Sequence, residues 1–123
     1  MDLNFNRDFD QAKLDELQHY LTSEQNSFEI YRSEDIHVDR NSQQRCALGF
    51  RDNVEYLNQQ KSRRKIRLPK TNYFISKLLH EIQIYNSCQH PNILCLDGVS
   101  FIFNSSSQAE IEVSFFSRKI WGN

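Results

Sequence analysis

The chain has 123 residues and a formal net charge of −1; 38% of its residues are hydrophobic and 12% aromatic, and its mean hydropathy is −0.70. That length suits one domain with an appendage, and nine Phe, five Tyr and one Trp supply enough apolar area for a core, which excludes disorder by composition. A near-neutral balance excludes a chain-wide field that would draw in nucleic acid or an anionic membrane.

The apolar runs are a few residues long, far short of the ~20 that span a bilayer. The opening "MDLNFNRDFDQ" is acidic and polar, unlike a secretory leader. Cys46, Cys88 and Cys95 form no CxxC or Cys/His spacing and are odd in number, which argues against a disulfide framework, and Cys88 and Cys95 read as small buried apolar side chains. His19, His37, His80 and His90 are scattered without metal-ligand spacing. The expectation is an intracellular, cytoplasmic protein with no metal site.

In "DFDQAKLDELQHYL", Phe9, Leu14, Leu17 and Leu21 recur at helical spacing, with Asp8 or Asp10 as N-cap. This predicts a short amphipathic helix, and "TSEQNS" ends it, so residues 1–26 read as a helix and linker. From 27 onwards the pattern changes. "FEIYRSEDIHV" alternates at Phe28, Ile30, Ile36 and Val38, as a half-buried strand with a polar interruption does. "NSQQ" reads as a turn, "RCALGF" as a short apolar segment ending at Gly49, "RDN" as another turn and "VEYL" as a strand.

"KSRRKIRLPK", residues 61–70, is a basic block. It reads as a solvated loop or edge strand, or alternatively as a nucleic-acid patch; Pro69 should interrupt regular structure there. Residues 72–87 are the strongest helix. Phe74, Ile75, Leu78, Leu79, Ile82 and Tyr85 make one apolar face, Thr71 or Asn72 can cap it, and Glu81 sits at the margin of that face. In "QHPNIL", Pro91 keeps the chain extended at His90 and Asn92 favours a turn. "ILCLDGVSFIF" reads as a buried strand with a bend or bulge at Asp97-Gly98. "NSSSQ" is a hairpin turn and "AEIEVSFF" its antiparallel partner strand.

This succession, with "HEIQIYNSCQHPNILCLDGVSF" at its centre, resembles the small N-terminal lobe of the eukaryotic protein kinase fold, of the tyrosine-kinase or tyrosine-kinase-like type. The resemblance implies an α+β fold: a twisted antiparallel sheet of about five strands with one αC-type helix, preceded by the short N-terminal helix. The lobe would occupy residues 27–123, with the large lobe absent.

Glu81 then resembles the glutamate that pairs with a strand lysine, an ion pair that holds the lysine against ATP phosphates. Lys61 stands at suitable spacing and is the candidate partner; aligning "VEYL" with the kinase strand instead puts Leu57 at the lysine position, and Lys65, preceding "IRLP", is a third choice. The kinase glycine-rich loop aligns with "DRNSQQRC", where Asp39, Asn41 and Gln44 replace all three glycines. Their side chains would obstruct close backbone approach to phosphate. Neither the HRD-type catalytic loop nor the DFG aspartate follows, so the resemblance implies no catalysis by this chain.

Trp121, near the end, is placed to cover apolar surface that a large lobe would bury. The resulting expectation is a non-catalytic, pseudokinase-like interaction or regulatory module acting on a protein kinase. Two alternatives are a kinase-derived domain that still binds ATP through Lys61 and Glu81, and a small α+β domain that binds nucleic acid through residues 61–70.

Overall fold

The computed structural model describes residues 9–24, 26, 28–46, 48–87, 96–103 and 110–118. Helix α1 (Gln11–Leu21) begins where Asp10 accepts a hydrogen bond from the Ala12 amide, the capping role that a short carboxylate fills well. At its other end the Thr22 amide and hydroxyl both donate to the Gln18 carbonyl. Its stripe of Leu14, Leu17 and Leu21 is buried. Phe9 lies outside that stripe, exposed, with the Lys70 ammonium over its ring.

Helix α2 (Asn72–Ser87) spans the residues predicted from periodicity. Thr71 starts it, its hydroxyl accepting from the Phe74 amide and its carbonyl from the Ile75 amide. The neighbouring Asn72 side chain accepts instead from the Asp10 amide, which ties the starts of the two helices together.

Among the described residues the strands are β1 (Glu29–Ile30), β2 (Ile36–Cys46), β3 (Gly49–Tyr56), β4 (Gln59–Pro69), β5 (Leu96–Ile102) and β6 (Glu110–Arg118), with a 3-10 turn at Ser33–Asp35. They form one six-stranded sheet in the order β1-β5-β6-β4-β3-β2. Every pairing is antiparallel except β1 with β5, so the sheet is mixed, with one strand more than expected. The final strand slots between β4 and β5, so the crossover through α2 skips one strand position.

Two local expectations change. "NSQQ" does not reverse the chain: it lies within β2, where the register against β3 shifts between Asp39 and Gln44. Side chains stabilise this irregularity, since Asp39 accepts from the Asn41 amide and Ser42 bridges the Asp39 carbonyl to the Asn53 amide. "RDN" is likewise not a turn but the middle of β3.

The actual reversals fall at Leu48 and at Leu57-Asn58, all three with positive φ; asparagine tolerates that conformation, but the two leucines do not favour it. Turn chemistry alone therefore pointed elsewhere. Gly49 follows the first reversal; a Cβ there would sit 1.9 Å from the Lys65 carbonyl oxygen, so close passage of β4 demands glycine. The bend at Asp97-Gly98 is present, as a register shift between Leu96 and Gly98.

The largest change concerns the basic block, which forms the centre of the sheet as β4 rather than a loop or edge. Alternation splits it into two faces. Ile66 and Leu68 point to the helices and join Leu14, Leu17, Leu21, Ile75, Leu78, Ile82, Val99 and Val113 in the main core. Lys61, Arg63, Lys65 and Arg67 point to the opposite, open face. There a smaller cluster of Tyr31, Val54, Tyr56 and Phe116 packs. Tyr31 stacks on Tyr56 with centroids 3.8 Å apart and leans on Phe116. The segment after β1 thus straps one end of the open face.

Candidate functional site at the helix-sheet junction

A basic strand in the middle of a sheet requires a counter-charge for nearly every cation, because burying an unpaired charge costs several kcal/mol. On the open face, Arg63 donates Nε and Nη2 to the two oxygens of Asp52 at 2.9 and 2.7 Å. The Asp52 side chain is fully buried and that of Arg63 is 10% exposed. Lys65 and Arg67 share Glu112, at 2.9 and 3.2 Å. Phe50 accepts the positive edges of Arg63 and Lys65, each 5.6 Å from its ring centroid.

Lys61 also belongs to this face, and its partner is Asp97 at 2.9 Å. Burial pulls the Lys61 ammonium down, but the hydrogen bond to Asp97 and the neighbouring Tyr31 outweigh it, so its pKa ends above the ordinary value. Tyr31 is raised in turn, chiefly by its own burial, with Lys61 working against that. The Asp97 bulge has a consequence here: it breaks the ladder where a carboxylate must reach the β4 lysine.

Glu81 lies on the other side of the sheet, on α2. Its carboxylate is 3.5 Å from Arg64 Nη1, and Arg64 also donates to the Tyr85 hydroxyl at 3.3 Å and lies over the Phe115 ring. The structure therefore does not bring Lys61 and Glu81 together. Arg64 lies three positions after Lys61 on one strand, an odd offset, so their side chains leave from opposite faces, and only the Arg64 face meets the helix.

Lys65 shares the face of Lys61 and is committed to Glu112. Leu57 is an exposed turn residue. Arg64 was within reach of the sequence: Ile66 and Leu68 fix which parity of β4 faces the core, and Arg64 has that parity. Asp52, Asp97 and Glu112 carried no such signal, since each acquires its partner from a different strand.

The glycine-loop positions move as well. Asp39, Asn41 and Gln44 sit in β2, not in a loop between strands. Asp39 and Gln44 face Asn53 and Arg51 across the ladder, and the irregularity between them is held by the Asp39 carboxylate and the Ser42 hydroxyl. The His-Pro-Asn turn, Cys88, Cys95, His90, the "NSSSQ" turn and Trp121 lie outside the described residues. Cys46 is free and half-buried.

Among the described residues no group of three or more His, Cys, Asp or Glu side chains is placed to hold a metal ion, and no helix is long and apolar enough to cross a membrane. What the junction can do chemically is hold a helix against a strand through one charged contact. At 30% and 40% exposure that contact is worth only about 0.2–1 kcal/mol, so it orients α2 more than it anchors it. No family model matches the chain, and no curated protein matches it.

Proposed function

We propose that this chain is a non-catalytic, kinase-like small-lobe module that binds a protein kinase domain and regulates it. The observation that carries the reading is the Glu81–Arg64 contact, which joins α2 to the central strand. A three-stranded antiparallel meander, a crossing helix with an inward carboxylate and two further strands is the succession on which the resemblance rests.

The same contact argues for a role without phosphoryl transfer. The helix carboxylate meets arginine, a planar fork that is already engaged by Glu81, Tyr85 and Phe115, rather than a flexible lysine free to follow a phosphate. The segment aligned with the glycine-rich loop is a side-chain-filled irregularity in a strand, which leaves no backbone cradle at Asp39, Asn41 or Gln44.

A docking role has material in α2 itself. Tyr73, Lys77, His80 and Ile84 recur at helical spacing on its outer side; Tyr73 and Ile84 are each 47% exposed, and Lys77 packs over the Tyr73 ring. Such a face could favour one position of a partner's own helix and so shift its active population.

The test is capture of purified protein kinase domains by the immobilised chain, followed by turnover measurements on each captured kinase. Capture with altered turnover is expected, weakened roughly tenfold or more by Ile84→Asp, as loss of an interface anchor implies. Recovery of no kinase domain by a chain shown to be folded would overturn the proposal. Mg-ATP is expected to leave the thermal midpoint unchanged.

A further inference from the structure

The open face of the sheet carries an arrangement that the kinase-like reading does not use. At the β2–β3 reversal lies an open pocket of about 530 Å³, within the size range of small-molecule sites, lined by Arg45, Leu48, Phe50, Lys65 and Arg67 among others. Arg45, Phe50 and Lys65 are successive cross-strand partners in the ladder, so they form one row across three strands. Arg67 is two residues beyond Lys65 on the same face.

The charges in this row are unbalanced. The lining holds three cations and no carboxylate. Glu112 is shared by Lys65 and Arg67, so one negative charge fixes two cations side by side. Among the described residues Arg45 has no ion-pair partner. The pocket therefore concentrates an excess of about two positive charges, in a chain whose net charge is −1.

Two of the three cations are guanidinium forks, which match tetrahedral oxyanions in geometry and keep their charge at any physiological pH. The neighbouring apolar surface is Phe50, half-buried, and Leu48, which is 59% exposed at the tip of the reversal. An exposed leucine beside a triad of cations suits a ligand with a charged end and an apolar or planar body.

We infer that this pocket binds a small phosphomonoester, with the dianion held by Arg45, Lys65 and Arg67 and the ester group resting against Leu48 and Phe50. The site is on the face opposite Glu81, so it stands or falls independently of the kinase-like reading.

The experiment is calorimetric titration of the full chain with phenyl phosphate, inorganic phosphate and sulfate at matched ionic strength. Phenyl phosphate is expected to bind at least tenfold more tightly than inorganic phosphate, and sulfate more weakly than either. Arg45→Gln with Arg67→Gln, both at exposed positions, should lower phenyl phosphate affinity at least tenfold while circular dichroism and thermal midpoint stay near those of the parent. Arg45→Lys should retain most of the affinity. Equal binding by parent and double variant would overturn the inference, as would no heat from phenyl phosphate at millimolar concentration with the folded parent. Equal affinity for phenyl phosphate and inorganic phosphate would overturn it as well, because the ester group would then gain nothing from Leu48 and Phe50.

Discussion

The pair between Asp52 and Arg63 offers the sharpest test of how a basic strand survives at the centre of this sheet. Asp52→Asn keeps the volume and removes the charge, leaving a guanidinium that is 10% exposed without a counter-ion. Both hydrogen bonds to it are short, at 2.9 and 2.7 Å, and charge-assisted bonds of this kind contribute about 1.5–3 kcal/mol each. Leaving one partner of a buried pair uncompensated costs about 3–5 kcal/mol. A chain of this length has about 6–18 kcal/mol of stability in total, at ~0.05–0.15 kcal/mol per residue.

Urea unfolding followed by far-UV circular dichroism should therefore show a midpoint lower by about 2 M, taking a slope of about 1–3 kcal/mol/M. The slope itself should be unchanged. Replacing both members with apolar residues, Asp52→Leu with Arg63→Met, should recover most of the loss, because the desolvation cost then vanishes with the charges. A loss under about 1 kcal/mol for Asp52→Asn would refute the argument that the pair is buried and mutually dependent.

Three further outcomes follow from the same open face and its hairpin. Gly98→Ala places a Cβ 2.2 Å from the Tyr31 ring and should destabilise by about 1–3 kcal/mol, as overpacking does; combining it with Tyr31→Ala should cost less than the sum of the two single changes, measured by the same urea titration. Leu57→Asn with Asn58→Gly should stabilise by roughly 1 kcal/mol, since both positions have positive φ, Leu57 is 60% exposed and Asn-Gly suits a two-residue turn of this kind; thermal melts would read it. Stability should fall above about pH 10. Lys61 is raised in the fold, so its contribution is complete below its unfolded value and is lost as pH climbs through the folded one. Tyr31 is also raised, so the unfolded chain ionises first and draws stability the same way. Tyr31→Phe should make the alkaline decline shallower, and an unchanged pH profile would count against the Lys61–Tyr31 coupling.

Much of the framework was readable from periodicity. Helix α2 and the buried positions Ile75, Leu78 and Ile82 follow from apolar spacing, as do the α1 stripe and the β5–β6 segments, because one face of each is dry and the pattern records that face. The reversals were not readable, since Leu48, Leu57 and Asn58 adopt positive φ where Asn-Ser-Gln-Gln and Arg-Asp-Asn carry the stronger local turn chemistry. Ladder formation across three strands outweighed those preferences. Residues 61–70 misled for a related reason: a run of cations signals solvent only if its counter-charges are unknown, and Asp52, Asp97 and Glu112 are each supplied from far along the chain. Glu81 was placed on the correct side of its helix, but its strand partner depended on parity.

That parity is enforced by both faces of β4 at once. Sliding the strand by one residue would turn Lys61, Arg63 and Lys65 toward Ile75, Leu78 and Ile82, and would expel Ile66 and Leu68 into the open face. Apolar burial alone would resist the slip, but the open-face pairs make it far more costly, because Asp52, Asp97 and Glu112 would lose their partners together. The cations that looked like a solvated tract are therefore register locks: three carboxylates on β3, β5 and β6 meet them at fixed positions. Arg64 reaches α2 only in this register. The helix contact thus rests on the register that the buried Ile66 and Leu68 and the open-face ion pairs hold together.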